Sequence, residues 1–126
     1  MENFDQRIKD AAACYLERRG FEIIERDWEA PEGGGGFDVI AMEGDTLVFA
    51  KANGRDAKST GFGFTDASFE RETDEAHALR YISLHAEDFP ECPIRFDSIA
   101  ITVISDDRAV IRHHVNCMSA YDLKEE

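Results

Sequence analysis

Apolar residues recur at three- and four-residue intervals at the start of the chain: Phe4, Ile8, Ala11, Ala12, Tyr15 and Leu16. That period predicts an amphipathic helix over residues 3–19. Asn3 with Gln6 three positions on suits an N-cap and capping box, and Gly20 suits the stop. Phe21 to Trp28, rich in Phe, Ile and Trp, reads as a strand. Pro31 and the run Gly33 to Gly36 mark a loop. Two short apolar segments come next, Phe37–Met42 and Leu47–Ala52, joined by Glu43-Gly44-Asp45-Thr46, with Gly44-Asp45 as a two-residue hairpin turn. Asn53 to Gly63 reads as a loop. Asp66 to Ala86 reads as a second helix with Phe69, Thr73, Ala76, Leu79 and Ser83 along one stripe. Ile94–Ile104 is a long strand, Asp106-Asp107 a turn and Arg108–Val115 a return strand.

The order α-β-β-β-α-β-β implies an α/β domain, a mixed sheet with helices packed on it. The hairpin turn sets a register in which Glu43 faces Thr46, Asp38 faces Lys51 and Gly36 faces Asn53. Side chains alternate with period two, so Gly36, Asp38, Ile40 and Met42 share a face with Leu47, Phe49, Lys51 and Asn53. Val39, Ala41, Val48, Ala50 and Ala52 form an apolar second face, so the hairpin should be covered on both sides. Cys14 reads as core on the first helix, and Trp28 as a core-rim residue.

A chain of 126 residues with 43% hydrophobic content can build one core, so a single domain over residues 1–126 is expected. No apolar run approaches the roughly 18 residues of a spanning helix, and the acidic start has no leader-like apolar stretch. Three widely separated cysteines, Cys14, Cys92 and Cys117, suggest neither a disulfide framework nor a zinc site, so a cytoplasmic location off the membrane is expected. The charge matters most. With 27 acids against 14 bases the net charge is −13, and nucleic-acid binders draw affinity from Lys and Arg on phosphates. Any nucleic-acid surface must be local, and binding weak.

The segment "GGFDVIAMEGDTLVFAKANGR" (35–55) resembles the strand-hairpin segment of the YraN-like family of predicted endonucleases, G-E-[IF]-D-[LV]-I-A, a turn, then L-V-F-V-E-V-K-x-R. "AACYLERRGFEIIERDW" (12–28), "ALRYI" (78–82) and "RFDSIAI" (95–101) resemble further pieces of that family in the same order. The family belongs to the restriction-endonuclease-like superfamily with its PD-(D/E)xK signature. The resemblance implies an αβββαβ core with one extra C-terminal strand. In such a site carboxylates hold Mg²⁺, a hard cation, and a lysine assists the attacking water.

Matched residue by residue, only Asp38 keeps its family identity. Gly36 stands for the preceding Glu, Lys51 for the Glu of E-V-K, Asn53 for its Lys, and Lys9 for a first-helix Glu. An ammonium at a ligand position repels a dication, and Lys51 opposite Asp38 offers an ion pair in its place. The expectation is a vestigial site at Asp38, Lys51, Asn53, Gly36 and Lys9, with no cofactor and a catalytically inactive protein that binds nucleic acid weakly, or a protein. A rival is a working endonuclease using Mg²⁺ or Mn²⁺ at a migrated site of Asp38, Asp56 and Lys58, because Asp56-Ala57-Lys58 is itself D-x-K. A third reading is a protein-interaction domain, which the charge favours. Arg55 and Lys58, beside Lys51, are the residues friendliest to nucleic acid.

Other features carry less. The tetraglycine run leads into a strand with no Gly-Lys-Ser/Thr, so it is no phosphate loop. His113 and His114 are adjacent on a strand and point to opposite faces; His77 and His85 are too far apart to chelate. Glu70, Glu72, Asp74 and Glu75 read as a solvated helix face. Arg95 and Asp97, two apart on a strand, suit either a site rim or a structural ion pair.

Overall fold

The computed structural model describes residues 3–61, 63, 67–85, 87–88 and 92–117. Its elements run α1 (Phe4–Arg18), β1 (Glu22–Glu29), β2 (Gly36–Glu43), β3 (Thr46–Asp56), α2 (Ala57–Thr60), α3 (Arg71–Leu84), β4 (Ile94–Ser105) and β5 (Arg108–His114). The strands form one sheet in the order β1-β2-β3-β4-β5, antiparallel throughout except that β3 and β4 run parallel. A parallel pair needs a crossover, and α2 and α3 supply it. The result is the expected α/β fold, a mixed sheet flanked by helices with an extra C-terminal strand, consistent with a restriction-endonuclease-like core.

Each face of the sheet has its own apolar cluster. On one, Ile8, Ala12, Ala13 and Leu16 of α1 pack on Val39, Ala41, Val48, Ala50, Ile99 and Ile101. On the other, Ala78 and Tyr81 of α3 pack on Trp28, Phe37, Ile40, Leu47, Phe49 and Phe96. The hairpin is therefore covered on both sides, and Trp28 is core, its ring edge-on to Tyr81 with centroids 5.2 Å apart. The N-cap of α1 forms as expected: Gln6 N–H donates to Asn3 Oδ1 at 2.8 Å. Only half of the capping box forms, because the Gln6 amide donates to Asp10 (3.1 Å) rather than back to the cap.

Three expectations are corrected. The segment after Ala52 is strand rather than loop, since β3 keeps its parallel ladder with β4 through Asn53↔Ala100, Gly54↔Ile101, Arg55↔Thr102 and Asp56↔Val103. The stripe assigned to the second helix is its solvent side: Thr73, Ala76 and Ser83 are exposed and Leu79 is 63% exposed, while Asp74, Ala78 and Tyr81 are buried. A charged residue inside the buried stripe hid its period. The expected ends of that helix, Asp66 and Ala86, lie outside the described residues. Cys14 is exposed, because the buried stripe of α1 runs through Ala12, Ala13 and Leu16, and one further 100° step carries Cys14 past it.

Gly54 marks where α1 crosses β3. A Cβ there would lie 2.3 Å from Cγ1 and 2.4 Å from Cδ1 of Ile8. Overpacking of this kind costs about 1–3 kcal/mol. Gly54→Ala should therefore destabilise the fold, and in a double-mutant cycle with Ile8→Ala the combined loss should be smaller than the two single losses added, by about 1 kcal/mol or more. Urea unfolding of the four proteins measures it; strict additivity would mean that the helix does not pack there.

Candidate functional site

The β2–β3 ladder runs from Glu43↔Thr46 to Val39↔Ala50 in the expected register. Beyond Val39↔Ala50 the two strands depart from a continued hairpin. Phe37 and Ile40 both belong to the α3-side cluster although three residues apart, so strict alternation breaks between them. Asp38 falls at the break. One carboxylate oxygen accepts the backbone N–H of Ala52 at 2.7 Å, serving as the acceptor that a continued ladder would have supplied. Its other oxygen lies 3.7 Å from the Lys9 ammonium of α1.

Lys9 also donates to Asp27 Oδ1 at 2.7 Å. Asp27 sits between the Arg26–Val39 and Trp28–Phe37 pairs of the β1–β2 ladder, and so opposite Asp38. Its φ of 54° is a left-handed conformation that Asp tolerates better than most residues. Two like charges opposed across a ladder repel, and one ammonium neutralises both. The hydrogen bond to Asp27, more than the nearby Asp38 charge, raises the Lys9 pKa above its ordinary value, against the lowering effect of burial.

The expected Asp38–Lys51 pair is not formed. Ala52 packs in the α1-side cluster and Gly54 meets Ile8, so Lys51 projects to the opposite side of β3. There its ammonium lies 2.9 Å from Oδ1 of buried Asp74 on α3, 3.3 Å from the Ser68 carbonyl and 5.0 Å from the Phe69 ring centroid. Asp74 also accepts the Glu70 N–H at 2.6 Å. The reason is the broken alternation of β2, which turns Asp38 toward α1 while β3 stays regular. Asp74, read from the sequence as a solvated acid, is the partner that the face assignment missed.

The remaining candidates are dispersed. Gly36 leaves no room for a side chain: a Cβ would come within 1.9 Å of the Trp28 carbonyl oxygen. Asn53 lies on β3 beside Ala100. Asp56 caps α2, its Oδ1 accepting the Lys58 N–H at 2.9 Å. Asp56 is four residues beyond Ala52, the anchor of Asp38, which is about 13 Å of extended chain. Arg55, beside Gly63, is on the far side of β3 from Gly54, whereas Lys58 lines a small cleft with Phe4 and Arg7 of α1. Arg55 and Lys58 thus do not form one strip. Among the described residues no group of three or more His, Cys, Asp or Glu is arranged to hold a metal ion.

A second polar centre lies at the base of the sheet. Arg95 Nε and Nη2 donate to the two oxygens of Asp97, both at 2.9 Å, in a bidentate pair. His113 Nε2 is 2.8 Å from Asp97 Oδ2, the Asn116 N–H donates to Oδ1 at 2.9 Å, and the other His113 nitrogen is 3.3 Å from the Tyr15 hydroxyl. Arg95 also pairs with Glu43 at 2.8 Å. Asp97 is fully buried. Burial pushes its pKa up, but the bonds from His113, Arg95 and Asn116 outweigh that and hold it down at about 2. This network ties α1, β4, β5 and the hairpin turn together, so the Arg95–Asp97 spacing marks a structural ion pair. The His113 contribution had no sequence signal beyond its position on an inward-facing strand residue.

A family model described as uncharacterised protein family UPF0102 matches residues 9–101. A UPF0102 protein of Geobacter sulfurreducens is 34% identical over 113 residues, 87% of this chain and 84% of the relative. One from Renibacterium salmoninarum is 31% identical over 108 residues (83% and 86%), and one from Chloroflexus aurantiacus 38% over 95 (75% and 74%).

Asp97 carries a pH prediction. Its folded pKa of about 2 lies below the ordinary 3.8. The stability it contributes is therefore present above pH 4 and lost as pH falls through the folded value, on the order of 2 kcal/mol in all. Asp97→Asn should destabilise the protein at neutral pH and flatten that acid limb; an unchanged slope between pH 4 and pH 2 in denaturant melts would contradict the assignment.

Proposed function

The chain belongs to the uncharacterised protein family UPF0102, the YraN-like group, and from this membership and the state of its site we propose that it is a nuclease-fold protein without metal-dependent cleavage activity, working through binding. The observation that carries the reading is Lys9. Its ammonium stands between Asp27 and Asp38, at the place where the family resemblance puts a first-helix carboxylate.

The residues do not fit a Mg²⁺ or Mn²⁺ ion. A hard dication needs several oxygen ligands around one point. Of the expected ligand positions, Lys9 and Lys51 are cationic, Gly36 has backbone where a side chain would go, and Asn53 is neutral. Asp38 spends one oxygen on the Ala52 N–H and the other on Lys9. The migrated arrangement gains no support, since Asp56 is engaged as a helix cap and lies far along β3 from Asp38. The −13 charge disfavours extended contact with nucleic acid and favours a protein partner.

Two measurements test the reading. Single-stranded, duplex and branched DNA should remain uncut with Mg²⁺ or Mn²⁺; cleavage abolished by Asp38→Ala would overturn the proposal, and cleavage abolished by Asp56→Ala or Lys58→Ala would establish the migrated site. Thermal melts give the complementary readout. Millimolar Mn²⁺ should leave the wild type unchanged. Lys9→Glu, which gathers three carboxylates, should melt lower without metal and regain about 1.4 kcal/mol at a metal concentration ten times its Kd. A wild type stabilised by Mn²⁺ through Asp38 would mean that Lys9 does not substitute for the ion.

A further inference from the structure

α1 meets the sheet at Ile8, which packs where Gly54 of β3 pairs with Ile101 of β4. β4 and β5 run on past that contact, and a register shift between Val103 and Ser105 interrupts the end of their ladder. The corner between the helix and this end of the sheet is a cleft of about 230 Å³, floored by Ile8, Ala11, Ile101 and Val103. A smaller recess of about 60 Å³ shares Arg7 and Val103 with it and extends it toward Lys58. All the lining residues are described. The cleft lies at the other end of β4 from Cys117, whose N–H donates to the Phe96 carbonyl.

Three exposed cations stand on the rim: Arg7 of α1, Lys58 of α2 and Arg108 of β5. Among the described residues, none of their side chains makes an ion pair or hydrogen bond. That contrasts with Lys9, Arg26, Lys51, Arg80 and Arg95, each of which has a carboxylate partner in this acid-rich chain. The rim also carries three acids, Asp56, Asp106 and Asp107. Asp56 caps α2, and Asp107 accepts the Ser105 hydroxyl at 3.0 Å. A single unpaired surface cation is ordinary. Three around one apolar hollow make the usual form of a small-molecule site, apolar walls with a few polar groups that fix orientation.

We propose that this cleft binds a small organic anion, a carboxylate or phosphate monoester on an apolar body. The body lies on the Ile8–Val103 floor, and the anionic group sits among Arg7, Arg108 and Lys58. The space is that of about eight liquid waters, which suits a small aromatic ring system. At physiological salt charges are screened beyond about 8 Å, so an anion inside the cleft meets the local cations more than the overall −13. A nucleic-acid strand fits less well, because its further phosphates would run past Asp106 and Asp107. The cleft shares no residue with the Asp38, Lys9 and Asp27 group, and its test needs no divalent metal, so it stands or falls separately from the loss of cleavage.

The probes are naphthoate and naphthyl phosphate, with naphthamide as the neutral counterpart, titrated into the full chain and followed by backbone amide NMR shifts. Both anions should bind saturably with a Kd of about 1 mM or tighter, moving the amides of Ala11 and Val103 most. The tighter of the two identifies the anionic group. Naphthamide should bind about tenfold more weakly. Arg7→Gln should weaken the anions about tenfold and leave naphthamide unchanged, whereas Ala11→Leu, which fills the floor, should abolish binding of all three. Arg18→Gln, in the last turn of α1, should change nothing. Thermal melts of the variants separate lost binding from lost folding, and Arg108→Gln carries the test where Arg7→Gln fails to fold. No saturable binding, equal affinity for naphthamide, or indifference to both arginine variants would overturn the proposal. So would shifts confined to another surface, or displacement of the anions by inorganic phosphate or a single-stranded oligonucleotide at equal concentration.

Discussion

The Asp38 carboxylate sits where the hairpin ladder stops, and much of the surrounding architecture is arranged around satisfying it. A strand that departs from its neighbour leaves backbone donors without partners, and a buried donor left unmade costs on the order of 1–3 kcal/mol. Asp38 answers that need at Ala52 with one oxygen and brings a negative charge that must itself be met. Lys9 meets it from α1, at the cost of a second acid, Asp27, held in a left-handed backbone conformation. One side chain thus couples β2, β3, β1 and the first helix. A residue read from the sequence as the remnant of a catalytic centre has a complete structural occupation.

The second charged pair arises from the same departure. With Asp38 turned toward α1, the opposite face at Lys51 has no acid from the hairpin, and α3 supplies Asp74. Lys9 and Lys51 therefore each have carboxylate partners on their own face of the sheet. Burying Asp74 is tolerable because its charge is met by Lys51 and by the Glu70 N–H, and removing either kind of partner from a buried charge is strongly unfavourable. The two helices are held to the sheet by apolar clusters, and each also carries one of these ion pairs to it.

The fold was legible because its elements are locally consistent. The α1 cap, the Gly44-Asp45 turn and the apolar alternation of β2, β3 and β4 all agree with the tertiary arrangement. The hairpin register was legible for the same reason, down to Val39↔Ala50. Beyond that pair, reasoning by alternation failed at a single residue, and with it the pairing of Asp38 with Lys51. Nothing in "GGFDVIA" announces that Phe37 and Ile40 will share a face. The face of α3 failed for a different cause: its buried stripe contains Asp74, so apolar periodicity points toward Leu79, which is exposed. The spacing of Arg95 and Asp97 left an ion pair as one of two readings, and the approach of His113 on β5 and of Asn116 just after it depends on strand order.

A site of clustered carboxylates is under mutual repulsion unless a cation is present, so a metal-dependent nuclease has some of its local stability linked to metal concentration. A lysine at position 9, where the family resemblance puts a carboxylate, adds no repulsion and supplies a fixed counter-charge to Asp27 and Asp38. Around Asp38 the counter-charge is then a side chain, held at 2.7 Å from Asp27 and 3.7 Å from Asp38. Gly36 adds a steric lock to this electrostatic one, because β1 passes so close that no side chain fits there without moving the Trp28 backbone. A carboxylate at position 9 is a change of one side chain, while one at position 36 requires β1 and β2 to separate. The two positions are therefore unequal: the first differs from the family pattern in the charge of one side chain, and the second in the closeness of two strands.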